Sequence, residues 1–116
     1  MAARAWRRAQ LERQLVDLGY RVSGCANGHE ALSRLTEAGG ADLLMTDIVM
    51  PGGLNGRQLA NYARAIRPDL PILLTSGHSD DAQLRAARLL PKARFLAKPY
   101  RRAELVRALE EAFADG

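Results

Sequence analysis

The sequence predicts an α/β fold in a single domain over residues 1–116, a parallel sheet covered by helices on both faces. Two observations carry this. Short apolar runs that read as strands alternate along the chain with amphipathic stretches that read as helices. The runs are also unbroken, as in strands buried on both faces, and lack the every-second-residue pattern of a half-exposed sheet.

Each element has its own signals. "AWRRAQLERQLVDLG" places Leu11, Leu15 and Leu18 on one helical face, and Gly19 is its C-cap. "YRVSGCA" reads as a short strand. Asn27 with Glu30 three residues later forms a capping box for a helix through Leu32 and Leu35, which Gly39-Gly40 stops. "ADLLMTD" is a buried strand ending in one acid, Asp47, before a Pro-Gly turn. "GRQLANYARAIRP" puts Leu59, Tyr62, Ala63 and Ile66 on the inner face of a helix that breaks before Pro68. "PILLTSG" is a second buried-type strand. Ser79 caps a helix with Asp80 and Asp81 in its first turn, and Pro91 marks its end. "ARFLAKP" is the last strand, and "RRAELVRALEEAF" closes the chain with Leu105, Ala108, Leu109 and Ala112 inward. The order is α-β-α-β-α-β-α-β-α, with no linker, repeat or low-complexity segment.

Composition narrows the classes. At 116 residues the chain is long enough for a sizeable core. No apolar run approaches the ~20 residues that span a bilayer, and "MAARAWRRAQ" lacks the apolar core of a signal peptide. The lone Cys25 forms no internal disulfide, which suits a reducing compartment, so a cytoplasmic protein is expected. The net charge of +4 raises nucleic acid as a partner. The basic residues are scattered, however, with pairs such as Arg7-Arg8 and Arg101-Arg102 at most, and aromatics for base stacking are few. A solvated basic surface is the reading, with neither nucleic acid nor membrane as a partner.

Sites in parallel sheets form at the carboxyl ends of the strands. Asp47, Thr75 and Lys98 each end a strand here, so an acid, a hydroxyl and an amine converge on one rim. A carboxylate can act as a nucleophile toward phosphorus. Phosphoryl transfer needs positioning and charge neutralisation, which a lysine and a hydroxyl supply. Each member also has a plain structural reading: Asp as a loop-start residue, Thr as a strand filler, Lys as a snorkelling cation. Their convergence on one rim favours chemistry. His78 and His29 read as solvated, Cys25 as a small core residue, and no metal-ligand spacing suggests zinc.

The motifs "LLMTDIVMPGGLNG", "PILLTSGH" and "FLAKPY" give the chain, from Arg7 to Phe113, a resemblance to the receiver domain of bacterial two-component response regulators. That resemblance implies a flavodoxin-like fold and a phosphorelay role in signal transduction. Asp47 would be the phosphoacceptor, supplied by a histidine kinase or a phosphotransfer protein. Thr75 would be the switch hydroxyl, Lys98 the phosphate-sensing lysine and Phe95 the switch aromatic. Asp47 and the main-chain carbonyl of Val49 would be Mg²⁺ ligands, and Lys98-Pro99 a cis peptide. The extra glycine in "PGGLNG" resembles receivers at the C-terminus of hybrid sensor kinases. No output module is expected after the last helix.

One departure qualifies the resemblance. Receivers begin with a strand ending in two acids that hold Mg²⁺, and family spacing places those acids near Ala2 and Ala3. No Asp or Glu precedes Glu12, so the first strand is expected to be missing, in a truncated or a degenerate receiver. Mg²⁺ is then expected to bind weakly or not at all. In the family the missing strand lies between "YRVSG" and "ADLLMT". Its loss predicts self-association through the first helix and "YRVSG". The alternative function is a pseudo-receiver, a phosphorylation-independent interaction module. A haloacid-dehalogenase-like phosphatase uses a similar trio but needs a second acid two residues after the first, where Val49 stands, so no enzyme is expected.

Overall fold

The computed structural model describes residues 5–25, 28–37, 40–48, 55–77, 85 and 90–115. In chain order the elements are α1 (Ala5–Asp17), α2 (Gly28–Leu35), β1 (Leu44–Asp47), α3 (Gly56–Ile66), β2 (Ile72–Ser76), β3 (Arg94–Ala97) and α4 (Arg102–Asp115). The strands form one parallel sheet in the order β1-β2-β3. Every residue of β1 and β2 is buried, as their unbroken apolar runs predict. β3 stands at the edge, and only its Leu96 is buried.

The sheet separates two apolar layers. On one face Leu44, Ile48, Ile72 and Leu74 meet Ala31 and Leu35 of α2 and Leu59, Ala60 and Ala63 of α3, with Cys25 buried among them. On the other, Leu43, Met45, Leu73 and Leu96 meet Leu15 of α1 and Leu105, Leu109 and Ala112 of α4. The period-two alternation of the strands explains why neighbours such as Leu44 and Met45 belong to opposite layers. Full burial of one such side chain contributes about 1.5–3 kcal/mol.

Caps follow local chemistry. Gly19 ends α1 at φ +98, with its N–H donated to the Val16 carbonyl and the Tyr20 N–H to that of Leu15. This is the Schellman pattern, in which a left-handed glycine satisfies the last carbonyls of a helix. Two arginines near the end of α3 tie down the loops that lead into the strands. Arg67 donates to the Ala41 carbonyl before β1. Arg64 donates to the carbonyls of Leu70, before β2, and Pro91, before β3. Partial burial lowers the Arg64 pKa, with Asp69 opposing that shift.

Two expectations are corrected. "YRVSGCA" is not a strand: Arg21–Cys25 has no regular structure, and none of it joins the sheet. A strand exists only through a ladder partner. Here a cleft of about 560 Å³ separates Gly19–Ser23 from Gly40–Leu43. The segment is held by side chains instead. Tyr20 stacks on Phe113 with ring centroids 5.7 Å apart, and Ser23 accepts a bond from Arg34 at 2.9 Å. The expected inner face of α3 is also rotated. Leu59 and Ala63 are buried together with Gly56 and Ala60, whereas Tyr62 is 56% and Ile66 41% exposed. At 3.6 residues per turn Tyr62 lies roughly 110° from the centre of that small-residue stripe. The sheet surface therefore selects the residues that allow close approach. The expected Asn27 cap, the Gly39 stop and the Ser79-capped helix with Asp80 and Asp81 lie outside the described residues.

Candidate functional site

Asp47 and Thr75 are direct neighbours in the β1–β2 ladder, and Thr75 is opposite Leu96 in the β2–β3 ladder. Alternation puts Asp47 on the face of Met45, Thr75 on that of Leu73 and Lys98 on that of Leu96, all one layer of the core. The three side chains thus share a face at the carboxyl end of the sheet. The Lys98 N–H donates to the Ser76 carbonyl at 2.7 Å, which carries the β3 backbone one step past its last strand residue. From there the lysine and aspartate side chains together bridge two strand spacings.

The contacts are direct. Lys98 Nζ lies 2.6 Å from Asp47 Oδ1. The Thr75 hydroxyl donates to the same oxygen. Asp47 is only 7% and Thr75 3% exposed, so both work in a partly water-excluded pocket. Burial strengthens a charge-assisted contact and makes an unpaired carboxylate costly. The main chain is held too: the Thr46 hydroxyl donates to the Asp47 carbonyl at 3.1 Å.

The start of α3 backs this acid. Asn55 caps the helix by accepting the Gln58 N–H at 2.8 Å, while Gln58 accepts the Asn55 N–H at 3.0 Å. Gly56 donates its N–H to the Ile48 carbonyl at 2.6 Å. Sequence reasoning missed this joint, although "NGRQ" carries the residue-to-residue spacing of a capping box.

Of the five expected site residues, Asp47, Thr75 and Lys98 come together. Phe95 stands on the opposite face, packed on the layer of Ile72 and Leu74. Val49 lies outside the described residues. The Lys98-Pro99 peptide is cis.

Mg²⁺ requires several hard oxygen donors, usually carboxylates. Among the described residues no three of His, Cys, Asp and Glu cluster to hold a metal ion. The one carboxylate at the rim already bonds a cation and a hydroxyl. These residues do not make a Mg²⁺ cage.

A parallel sheet thus lies between two helical layers, with an acid, a hydroxyl and an amine sharing its carboxyl rim. The family profile for the response regulator receiver domain matches residues 5–110, and the chain belongs to that family. It is similar to the response regulator receiver protein CpdR of Brucella abortus, 37% identical over 101 residues, with 87% of this chain and 82% of that protein covered. It is also similar to the sensor kinase CckA of Brucella abortus, 35% identical over 100 residues, covering 85% of this chain but 10% of the kinase. The chain therefore spans a small part of that relative. A solved receiver protein from Sinorhizobium medicae superposes with a TM-score of 0.81 at 32% identity, covering 97% of this chain and 91% of its own. The receiver domain of NtrX from Brucella abortus gives 0.86 at 22% identity over 99% of this chain and 98% of its own, a likeness of fold. Among the described residues no helix is long and apolar enough to cross a membrane.

Proposed function

We propose that this receiver accepts a phosphoryl group on Asp47 from a histidine kinase or a phosphotransfer protein in the cytoplasm. The observation that carries this reading is the convergence of Lys98 and Thr75 on one buried carboxylate oxygen. An Asp47 oxygen attacks phosphorus, an O–P bond forms, and the P–N bond of the phosphohistidine breaks. The electron pair of that bond stays on the imidazole, and the product is an acyl phosphate. Lys98 is placed to neutralise charge on a phosphoryl oxygen and Thr75 to donate to another. Both must leave the bare carboxylate to do so, and that movement is the event a partner can read, with Phe95 on the other face of the same strand pair. Acetyl phosphate with Mg²⁺ supplies the test. Wild type should gain an acid-stable, hydroxylamine-labile phosphoryl group, and a chain that never takes label would refute the reading.

The pseudo-receiver reading has its own observation, the lack of an acidic cluster around Asp47 among the described residues. Under it, binding to a partner protein would be unchanged in Asp47→Asn. Mg²⁺ binding here is proposed to be weak, with Asp47 and the Val49 carbonyl as its ligands.

Self-association is a further proposal. The Leu44 N–H donates to Pro71 across the β1–β2 ladder. In a parallel ladder alternate residues bond one neighbour, so the N–H and C=O of Leu43 and Met45 face away from β2. Val16 of α1 is 56% exposed, and Tyr20 and Phe113 border the cleft. The apolar surface beside that cleft favours a second copy. Sedimentation velocity at micromolar concentration should show a dimer or larger species; one species near 12.7 kDa would overturn this.

A further inference from the structure

We infer that Gly56 is a positioning residue for Asp47, selected by lack of space and not by backbone conformation. The inference rests on Asp47 being the phosphoacceptor. Among the described residues the glycines at positive φ are Gly19 and Gly40, so the backbone at Gly56 is open to any residue. What excludes a side chain is the neighbour. A Cβ built at Gly56 would fall inside the van der Waals envelope of the Asp47 carbonyl oxygen, and 2.8 Å from both the Asp47 carbonyl carbon and Ile48 Cα. All three are main-chain atoms, and none can swing aside as a side-chain tip would.

The surroundings fix where the strain goes. α3 cannot retreat easily, because Leu59, Ala60 and Ala63 are fully buried against the sheet. Its first turn is locked by the Asn55–Gln58 box and by the Gly56–Ile48 bond. All the atoms that a new Cβ meets belong to the end of β1, where Asp47 is the last strand residue. A methyl at position 56 therefore displaces the Asp47 peptide and carries its carboxylate away from Lys98 and Thr75. Displacements of about 1 Å at a reacting group can cost ~10²-fold in rate.

The test compares Gly56→Ala with two controls. Gly19→Ala strains the backbone at φ +98, where nothing lies within 4 Å of a new Cβ. Asn55→Ala loosens the same helix cap without adding an atom beside Asp47. With acetyl phosphate as donor, Gly56→Ala should lose roughly 100-fold in maximal labelling rate, with half-saturating donor within about 2-fold. Both controls should keep the rate within about 3-fold. A readout independent of label is the Asp47 carboxyl-carbon resonance, followed through a double-mutant cycle with Lys98→Ala. In wild type Lys98→Ala should shift that resonance clearly, and in Gly56→Ala it should shift it little. Sucrose keeps a weakened variant folded for these measurements. If wild type takes no label, the phosphoacceptor reading falls, and the resonance cycle still decides the role of Gly56. Unchanged coupling in Gly56→Ala, rate losses in all three variants that track stability, or a variant unfolded even in sucrose would overturn the inference.

Discussion

Lys98 reaches Asp47 across the full width of the three-stranded sheet, from beyond the end of β3 to the end of β1, and its Nζ lies 2.6 Å from Oδ1. The lysine side chain is 19% exposed and the aspartate 9%, so the pair is held in a low-water setting without being sealed from solvent. Because the Thr75 hydroxyl meets the same oxygen, removing Asp47 takes a partner from both Lys98 and Thr75, and removing either of those takes one from Asp47.

Lys98→Ala should therefore destabilise the fold by about 1.5–3 kcal/mol, the range for a hydrogen bond to a charged group. Urea denaturation checks this, with the midpoint falling and the slope unchanged. A stability equal to wild type would mean that the contact is not formed in solution.

The rotated face of α3 predicts a contrast. Leu59→Ala removes a fully buried side chain and should cost about 2–5 kcal/mol. Tyr62→Ala, three residues on, removes an exposed one and should stay within about 0.5 kcal/mol. Equal losses in thermal or urea unfolding would restore the face that periodicity alone suggests.

Mg²⁺ should bind more weakly than about 1 mM, equivalent to ~4 kcal/mol. Asp47 is already neutralised by Lys98, and each carboxylate missing from a cage weakens binding about tenfold for every ~1.4 kcal/mol it would contribute. Calorimetry on the full chain checks this. Lys98→Ala should tighten Mg²⁺ binding by freeing the carboxylate from its cation, and a tight site in wild type would contradict the account.

Much of this was legible in the residues. The unbroken runs around Leu44–Asp47 and Ile72–Ser76 announced buried parallel strands, and strand-end placement alone brought Asp47, Thr75 and Lys98 to one rim. Leu105, Ala108, Leu109 and Ala112 all face inward as their spacing requires. Three things were not legible. "YRVSG" has strand composition, but a strand is a relation between two segments, and composition cannot supply the partner. Tyr62 and Ile66 have the right hydrophobicity and period, yet the sheet admits the smaller Gly56, Ala60 and Ala63, a selection by distance that a hydropathy pattern does not encode. The role of Gly56 was hidden for the same reason, since only the folded approach of α3 to β1 shows what its missing side chain avoids.

The central claim is that Asp47 is the phosphoacceptor. Its most direct measurement is transfer of labelled phosphate from a phosphorylated histidine kinase to the wild-type chain and to Asp47→Ala, with the modified residue mapped by mass spectrometry. The account predicts acyl-phosphate label on Asp47 in wild type and none in Asp47→Ala. Label that persists in Asp47→Ala, or maps to another residue of the wild-type chain, would contradict it.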